Sequence, residues 1–476
     1  MHRRNFLLLS IGAASAAALT QCATSQPSTV QSSATSPQIY RSQAGQLSLD
    51  LVAQAQTVQL GDRRANLLTY NGQVPGPRLE VRPGDRVQIH FTNQLKQPTN
   101  LHYHGLHIPQ DGTADNVFLQ VHPGERYTYQ FEIPANHPAG TFWYHPHVHG
   151  QVAKQLFGGL AGLLVVRGEL DEISEIQAAQ EEFLVFKDFA LGAQGNIPAP
   201  GHMAYMTGRV GDLLTTNGQL NPQFTLAQGG LLRLRLLNAS VSRFLRLSLE
   251  AHSFYLMATD GGAIAHPVEL ETLDLAPGER TEVLIQGIHA SGQYRLLNTP
   301  FNPAQSMGMG RMHGGSRNAR TETVATVRYS GSRSPLAMPE QLIPVELLPE
   351  PQITRQFTLN HGAGMVFLIN GQAFDPDRVD TTVQLNTTED WLIQNTGMMA
   401  HPFHVHVNKF QVMSRNGQPM PYLAWKDVVS IQPGEQVRLR MQFKDFSGKT
   451  VYHCHVLDHE DRGMMGILDI QSADSI

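Results

Sequence analysis

One strand-forming unit recurs three times along this chain, and any fold it adopts must accommodate that repeat. The first copy is VRPGDRVQIHFTN (81–93), the second LAQGGLLRLRLLN (226–238) and the third, less close, LNTTEDWLIQN (385–395). Each ends alternating apolar and polar residues on an Asn, and alternation with period two marks a half-buried strand. A Pro-Gly turn feeding another strand follows every copy, in VHPGERYTYQF (121–131), LAPGERTEVLIQ (275–286) and IQPGEQVRLRMQF (431–443). A third strand then starts at a glycine, in GTFWYHPH from Gly140, GQYRLLNT from Gly292 and GKTVYHCH from Gly448. The same elements in the same order, three times over, imply three homologous domains. No long helical periodicity competes, and 42 Gly and 28 Pro supply turns for many short strands, so the expected fold is all-β, built of sandwiches. The spacing places the domains near 45–168, 178–330 and 352–476, with the Pro-rich stretch from Gly331 to Pro351 as the second linker.

The first 25 residues read as an export signal, with Arg3-Arg4 ahead of Phe6-Leu7-Leu8-Leu9 and a run of small residues. The apolar stretch is short for a membrane span. Paired arginines resemble a twin-arginine leader, with an ordinary secretory signal as the other reading. Cys22 sits in a loose lipoprotein-like box, so it is either lipidated or removed by cleavage, and residues 26–44 form a flexible Ser/Thr/Pro/Gln-rich tether. A net charge of −5 gives no basic field for nucleic acid. Of the two cysteines, only Cys454 lies beyond the leader, so the exported chain has no internal disulfide and its single thiol needs a chemical reason.

That reason lies among the histidines. Four clusters stand out: LHYHG (His102, His104), WYHPH (His145, His147), HPFHVH (His401, His404, His406) and YHCHVLDHEDRGMM (His453, Cys454, His455, His459, Met464). Residues i and i+2 of a strand share a face, so each H-x-H pair presents two imidazoles to one side. Imidazole suits copper. His453 and His455 share a face, which turns Cys454 to the other, where its natural partners are His401 and His459. A Cys with two His and a weak axial Met defines a blue-copper electron-transfer site, and Met464 is the axial candidate. In the repeat alignment, His145-Pro146-His147 falls on His453-Cys454-His455, whereas Leu296-Leu297-Asn298 of the second domain offers no ligand. The paired histidines therefore come from the first and third domains and must meet at their interface, with the second domain as a spacer.

These motifs, in this order, resemble those of multicopper oxidases, a group that includes laccases, bilirubin oxidases and bacterial cuprous oxidases. The resemblance spans the chain beyond the leader. It implies cupredoxin-like Greek-key sandwiches and four coppers per chain. His102 and His404 would bind the type 2 copper. His104, His145, His147, His406, His453 and His455 would hold the type 3 pair. His401, Cys454, His459 and Met464 would form type 1. It also implies oxidation of a reductant one electron at a time, with O2 reduced to water. Asp115 resembles the acid near the trinuclear centre of laccases, and Glu460 resembles the acid thought to feed protons in bacterial members; each could instead be a turn or surface carboxylate.

Zinc does not explain one Cys flanked by His on the opposite face. Copper nitrite reductases lack the doubled H-x-H pairs. A non-catalytic binding protein on the same scaffold remains the alternative of a different class. For the reductant, two classes stay open: Cu(I), and phenols or aromatic amines. Met307, Met309 and Met312 lie in the Gly-rich segment 301–317, either as soft ligands for substrate Cu(I) or as chance residues of a linker. His149 is the one remaining histidine with the strand parity of a ligand. A monomer is expected.

Overall fold

The computed structural model describes residues 37–300 and 320–472. Arg3-Arg4, Cys22 and the Met307, Met309 and Met312 segment lie outside them. Six sheets pack as three two-sheet sandwiches. The three sequence repeats occupy the same places in each. The Asn-ending strands Arg86–Asn93, Leu231–Asn238 and Thr387–Asn395 are central. Each pairs antiparallel with the strand after its Pro-Gly turn. Each also pairs in parallel with the strand that opens its sandwich, Gln46–Leu60, Gln180–Phe189 or Ile353–His361. The Gly-led strands Gly140–His145, Gln293–Asn298 and Gly448–Cys454 lie in the opposite sheet.

Two side chains explain why the repeat is conserved within the chain. The terminal Asn of each central strand is fully buried. Its Nδ2 donates to two carbonyls, those of Gln97 and Val121 for Asn93, of Arg243 and Leu275 for Asn238, and of Met399 and Ile431 for Asn395. Its Oδ1 accepts the backbone N–H two residues on, at Leu95, Ser240 and Gly397. A buried amide that satisfies both ends in this way fixes the exit of the strand. In the third sandwich that exit is the turn leading directly into His401. The Glu of each Pro-Gly-Glu turn likewise accepts the N–H of the residue before the Pro, at 2.7 Å from His122, Ala276 and Gln432. The glycines of these turns sit at φ +83, +85 and +75, a region costly for residues with a Cβ.

Each sandwich has its own apolar core: Phe91, Tyr103 and Tyr144 in the first, Phe186, Leu234 and Phe254 in the second, and Trp391, Phe403 and Tyr452 in the third. A further cluster, including Trp143, Leu156, Val185, Val241 and Leu457, draws residues from all three and holds them together. Among the described residues no helix is long and apolar enough to cross a membrane.

The strands that carry the histidines share one device. Tyr144, beside His145, lies over Gly162 of the neighbouring strand, and Tyr452, beside His453, lies over Gly466. A Cβ at Gly466 would stand 2.6 Å from the Tyr452 ring, and one at Gly162 only 2.0 Å from that of Tyr144. Gly466→Ala should therefore force the ring out of place and destabilise the protein by about 1–3 kcal/mol, the range for overpacking. Equilibrium denaturation of the variant checks this, and unchanged stability would show that the ring has room.

Candidate metal centre

Two groups of buried ligand side chains lie on either side of the strand Gly448–Cys454. The larger sits where the first sandwich meets the third. The short strand His102–His104 pairs with Gly140–His145, setting His102 opposite His145. In the third sandwich, His401–Val405 pairs with Gly448–Cys454, setting His404 opposite His453. His147, His406 and His455 lie just past their strand ends, and all eight of these histidines are at most 2% exposed.

Their ring nitrogens form one continuous cluster with overlapping groups: His102, His104 and His145; His102, His404 and His406; and His147, His406 and His453. His453 Nε2 stands 3.2 Å from His147 Nε2 and 3.0 Å from His406 Nε2. His104 Nδ1 stands 3.4 Å from His145 Nε2, with the His455 ring 5.0 Å from that of His104. His102 stacks on His406 and His404 on His104, with ring centroids 4.0 and 3.8 Å apart; the Nε2 of His102 and of His404 has no hydrogen-bond partner, and neither nitrogen of His455 has one. The far side of most rings is tied down. His145 Nδ1 donates to the Pro146 carbonyl and His453 Nδ1 to the Cys454 carbonyl, each at 3.0 Å. His102 Nδ1 donates to Asp115 at 2.9 Å and His404 Nδ1 to the Asp427 carbonyl at 2.7 Å. His104 Nε2 donates to Asp427 Oδ1 at 3.0 Å. An imidazole whose outer N–H is spent on an oxygen turns a lone pair inward, which is how proteins orient metal-ligating histidines. Ligands about 2 Å from one ion stand roughly 3 Å apart, the spacing of these inner nitrogens.

The second group lies inside the core of the third sandwich. Cys454 Sγ is 3.4 Å from His401 Nδ1 and 3.8 Å from His459 Nδ1. Met464 is fully buried, and its backbone bridges the two ligand segments: its N–H donates to the His459 carbonyl at 2.9 Å and its carbonyl accepts from Cys454 at 3.0 Å. His459 Nε2 donates to the Met206 carbonyl at 3.1 Å. That carbonyl belongs to the helix His202–Thr207 of the second sandwich. Burial pushes the Cys454 thiol up, so it stays protonated until a metal takes the place of the proton.

Both sequence-predicted acids are at the larger group. Asp115 accepts from His102 Nδ1 and, at 2.9 Å, from the Tyr103 N–H; burial pushes its carboxyl up to about 8. Glu460 is fully buried, 3.1 Å from His453 Nδ1 and 3.7 Å from His147 Nε2. Neither of its oxygens is hydrogen bonded, because the His453 N–H is spent on Cys454, and burial raises its carboxyl well above the usual range. His149 is exposed, packs on Phe374 and joins neither group. Sequence reasoning missed Asp427 and Met206. Asp427 stands in AWKDVV without ligand spacing, and Met206 acts through its backbone, so neither leaves a trace in a pattern of side chains.

Burial in a mostly neutral ring cluster lowers the pKa of all ten histidines in the two groups. His147 and His401 are pushed down to about 3 and His404 to about 4. They are therefore neutral donors at physiological pH. Buried imidazoles with partnerless inner nitrogens, beside a thiol with two histidines, make a donor set for copper.

Comparison with known proteins agrees with this chemistry. Family models for multicopper oxidases match residues 52–171, 185–332 and 346–474. The multicopper oxidase mco of Staphylococcus haemolyticus is 32% identical over 419 residues, covering 85% of this chain and 84% of that protein. The cell division protein FtsP of Xenorhabdus nematophila is 30% identical over 458 residues, covering 92% of each. Among solved structures, a multicopper oxidase of Campylobacter jejuni described as a metallo-oxidase superposes with a TM-score of 0.81 at 31% identity, covering 92% of this chain and 94% of that one. The fold and the paired centres thus define a copper protein built of three cupredoxin-like Greek-key sandwiches. The chain belongs to the multicopper oxidase family.

The lowered histidine pKa values set a direction for stability. Each such ring stabilises the fold fully above its unfolded value near 6.5, and the contribution is lost as pH falls from there towards 3, because only the unfolded chain takes up the protons. The raised pKa values of Asp115 and Glu460 act in the opposite sense, but ten histidines outnumber them. Metal-free protein should therefore lose stability steadily from pH 7 to pH 4. Urea midpoints across that range would measure it, and a flat profile would mean the rings are not held neutral.

Proposed function

We propose that this chain oxidises a reductant one electron at a time at the His401–Cys454–His459 site and reduces O2 to water at the eight-histidine cluster. His401, Cys454, His459 and Met464 would hold a type 1 copper, His102 and His404 a type 2 copper. One type 3 copper would fall to His104, His145 and His455 and the other to His147, His406 and His453, giving four per chain. The observation that carries this reading is the run His453-Cys454-His455, in which three consecutive residues belong to two centres and link them by a few bonds. Copper at these places supplies one-electron acceptance at the thiolate and O2 reduction at the cluster.

The protein's own groups do the rest. The outer hydrogen bonds hold the rings in place, and burial keeps bulk water from the imidazoles. Reduction of O2 to water consumes protons. Asp115 and Glu460, whose carboxyls burial raises, stand against the cluster as proton carriers. Export of the chain through its twin-arginine-like leader, as a monomer and with or without a lipid on Cys22, completes the proposal.

Cys454→Ser should remove the blue colour and the oxidase turnover together. His453→Ala should leave the blue band while stopping O2 uptake, so that type 1 copper is reduced by substrate and stays reduced. Absorption spectra with an oxygen electrode test both, and a blue Cys454→Ser protein would overturn the assignment. The likeness to FtsP favours a second reading, a binding scaffold without turnover. A purified chain that takes up no copper and consumes no O2 would support it.

For the reductant, Cu(I) is favoured as substrate beside a broad activity on phenols. Met203, 57% exposed, lies on the helix that covers His459, and Met398, 72% exposed, lies three residues before His401. Exposed thioethers have no packing role here, and soft sulfur suits Cu(I). Met307, Met309 and Met312 add to the proposal on their sequence alone. Replacing Met203 and Met398 together by Ser should slow Cu(I) oxidation about tenfold, the effect of losing about 1.4 kcal/mol of binding, and spare a bulky phenol. Equal effects on both substrates would reject a dedicated Cu(I) role.

A further inference from the structure

The second sandwich, whose described residues supply no member of the two ligand groups, meets the eight-histidine cluster at Gly278, which lies against His455, and at Arg280. Arg280 begins the strand Arg280–Gln286 and is fully buried. An arginine has five N–H donors in a planar fork, and all five of Arg280 are used. Nε donates to the Thr141 carbonyl of the first sandwich at 3.1 Å. Nη1 donates to the Gly278 carbonyl at 3.1 Å and to Asp427 Oδ1 at 2.7 Å. Nη2 donates to the Asp260 carbonyl at 2.9 Å and to Asp427 Oδ2. The guanidinium thus joins all three sandwiches and grips the Asp427 carboxylate with both arms.

Asp427 in turn holds two of the cluster's rings. Its Oδ1 accepts from His104 Nε2 at 3.0 Å and its carbonyl accepts from His404 Nδ1 at 2.7 Å. The neighbouring residues strengthen the grip with a second pair of opposite sense: Lys426 Nζ lies 2.8 Å from Asp260 and 3.2 Å from Glu279. Glu279-Arg280 of one sandwich therefore clasps Lys426-Asp427 of another. The chain also clears space for it. Gly105, the glycine of LHYHG, has φ +89, and a Cβ there would stand 2.3 Å from Arg280 Nη2 and 2.6 Å from Asp427 Oδ2.

We infer that Arg280 is a positioning residue for the copper cluster, acting through Asp427 to fix the tautomer and angle of His104 and the angle of His404. The fork is needed because a bidentate pair sets the plane of the carboxylate, which a point charge cannot do. Without it Asp427 is free to turn away from His104, and one ligand in the proposed type 3 pair and one of the type 2 copper lose their orientation together. The type 1 site has its own supports and is untouched.

This rests on the assignment of the eight histidines to copper, and the experiment separates the two. Parent, Arg280→Gln, Arg280→Lys, Gly105→Ala and, as a control, Arg235→Gln are loaded with copper. Arg235 is another buried interdomain arginine, bonded to Thr141, Glu282 and Asp171, away from the cluster. The readouts are copper per chain, the blue band, the type 2 electron paramagnetic resonance signal, the near-ultraviolet type 3 band, and kcat and KM. In both Arg280 variants and in Gly105→Ala the blue band and the KM for reductant should stay at parent values. The type 2 and type 3 signals should change, and kcat should fall about ten- to hundredfold, the usual effect of losing an outer hydrogen-bond partner of a metal ligand. Arg235→Gln should keep every signal. Parent-like type 2 and type 3 signals and kcat in a folded Arg280 variant would overturn the inference. So would loss of the blue band with the rest, matched by the control, which would make Arg280 merely structural. If Arg280→Gln does not fold, Arg280→Lys and Gly105→Ala give the same readouts. A parent that binds no copper would refute the metal assignment instead.

Discussion

The alternation of side chains along one strand governs everything else in this molecule. On Gly448–Cys454 and the residue after it, His453 and His455 face the junction with the first sandwich while Cys454 faces the core of its own. The strand is thereby the wall between two centres and also the shortest connection between them. A helix could not do this, because consecutive residues on a helix diverge by about 100° rather than 180° and would not serve opposite sides of a layer. A sandwich with a closed apolar core on one side and a second domain on the other is what makes each face a buried site. The requirement for a β-fold therefore follows from the chemistry, and the repeat supplied one.

Gathering eight imidazoles at an interface is costly unless each is satisfied, since a buried polar nitrogen without a partner forfeits its hydration. For five of the rings the chain meets the cost on the outer side, with carbonyls of Pro146, Cys454 and Asp427 and the carboxylates of Asp115 and Asp427. On the inner side the Nε2 of His102 and of His404 stays without a partner. The same burial that disfavours charge keeps the rings neutral and raises the thiol of Cys454 and the carboxyls of Asp115 and Glu460. Neutral rings and raised acids are thus two results of one low-dielectric environment.

How much of this could be read from the sequence depended on whether a contact is local. The Asn and Pro-Gly-Glu repeats were visible because Asn93, Asn238 and Asn395 bond mainly to their own turns, so the pattern recurs at fixed spacing. The H-x-H pairs and the separate facing of Cys454 were visible because parity along a strand is a local property. That His401 and His459 approach Cys454 followed from elimination among histidines. By contrast, His104 meets Asp427 across 323 residues and Arg280 meets Asp427 across 147. These contacts exist only once the sandwiches are docked, and a Lys-Asp pair in an otherwise ordinary strand carries no mark of it. The Met206 carbonyl is invisible for a different reason: every residue has one.

The second sandwich shows what a repeated domain keeps after it has lost its ligands. Where the other two repeats carry His-x-His, counted from the shared glycine, it has Leu297, Asn298 and Thr299, and Asn298 accepts the Arg246 N–H across the sheet. Reading it as a spacer understates it. Its helix His202–Thr207 closes over His459, and the turn before Arg280 delivers a cation between the other two sandwiches. The Pro-Gly-Glu turn that in each repeat merely starts a strand is followed at this one position by an arginine whose buried side chain bonds the Thr141 carbonyl of the first sandwich and the Asp427 carboxylate of the third. In the equivalent places Arg126 is exposed and Gln436 is exposed. A residue position that is solvent-facing in two copies and buried in the third is one where the third copy has been fitted to its neighbours. The divergence of the middle repeat shows at the interface, where Arg280 bonds to the first and third sandwiches at once and adds to their direct contacts, such as Gly150 N–H to Asp461.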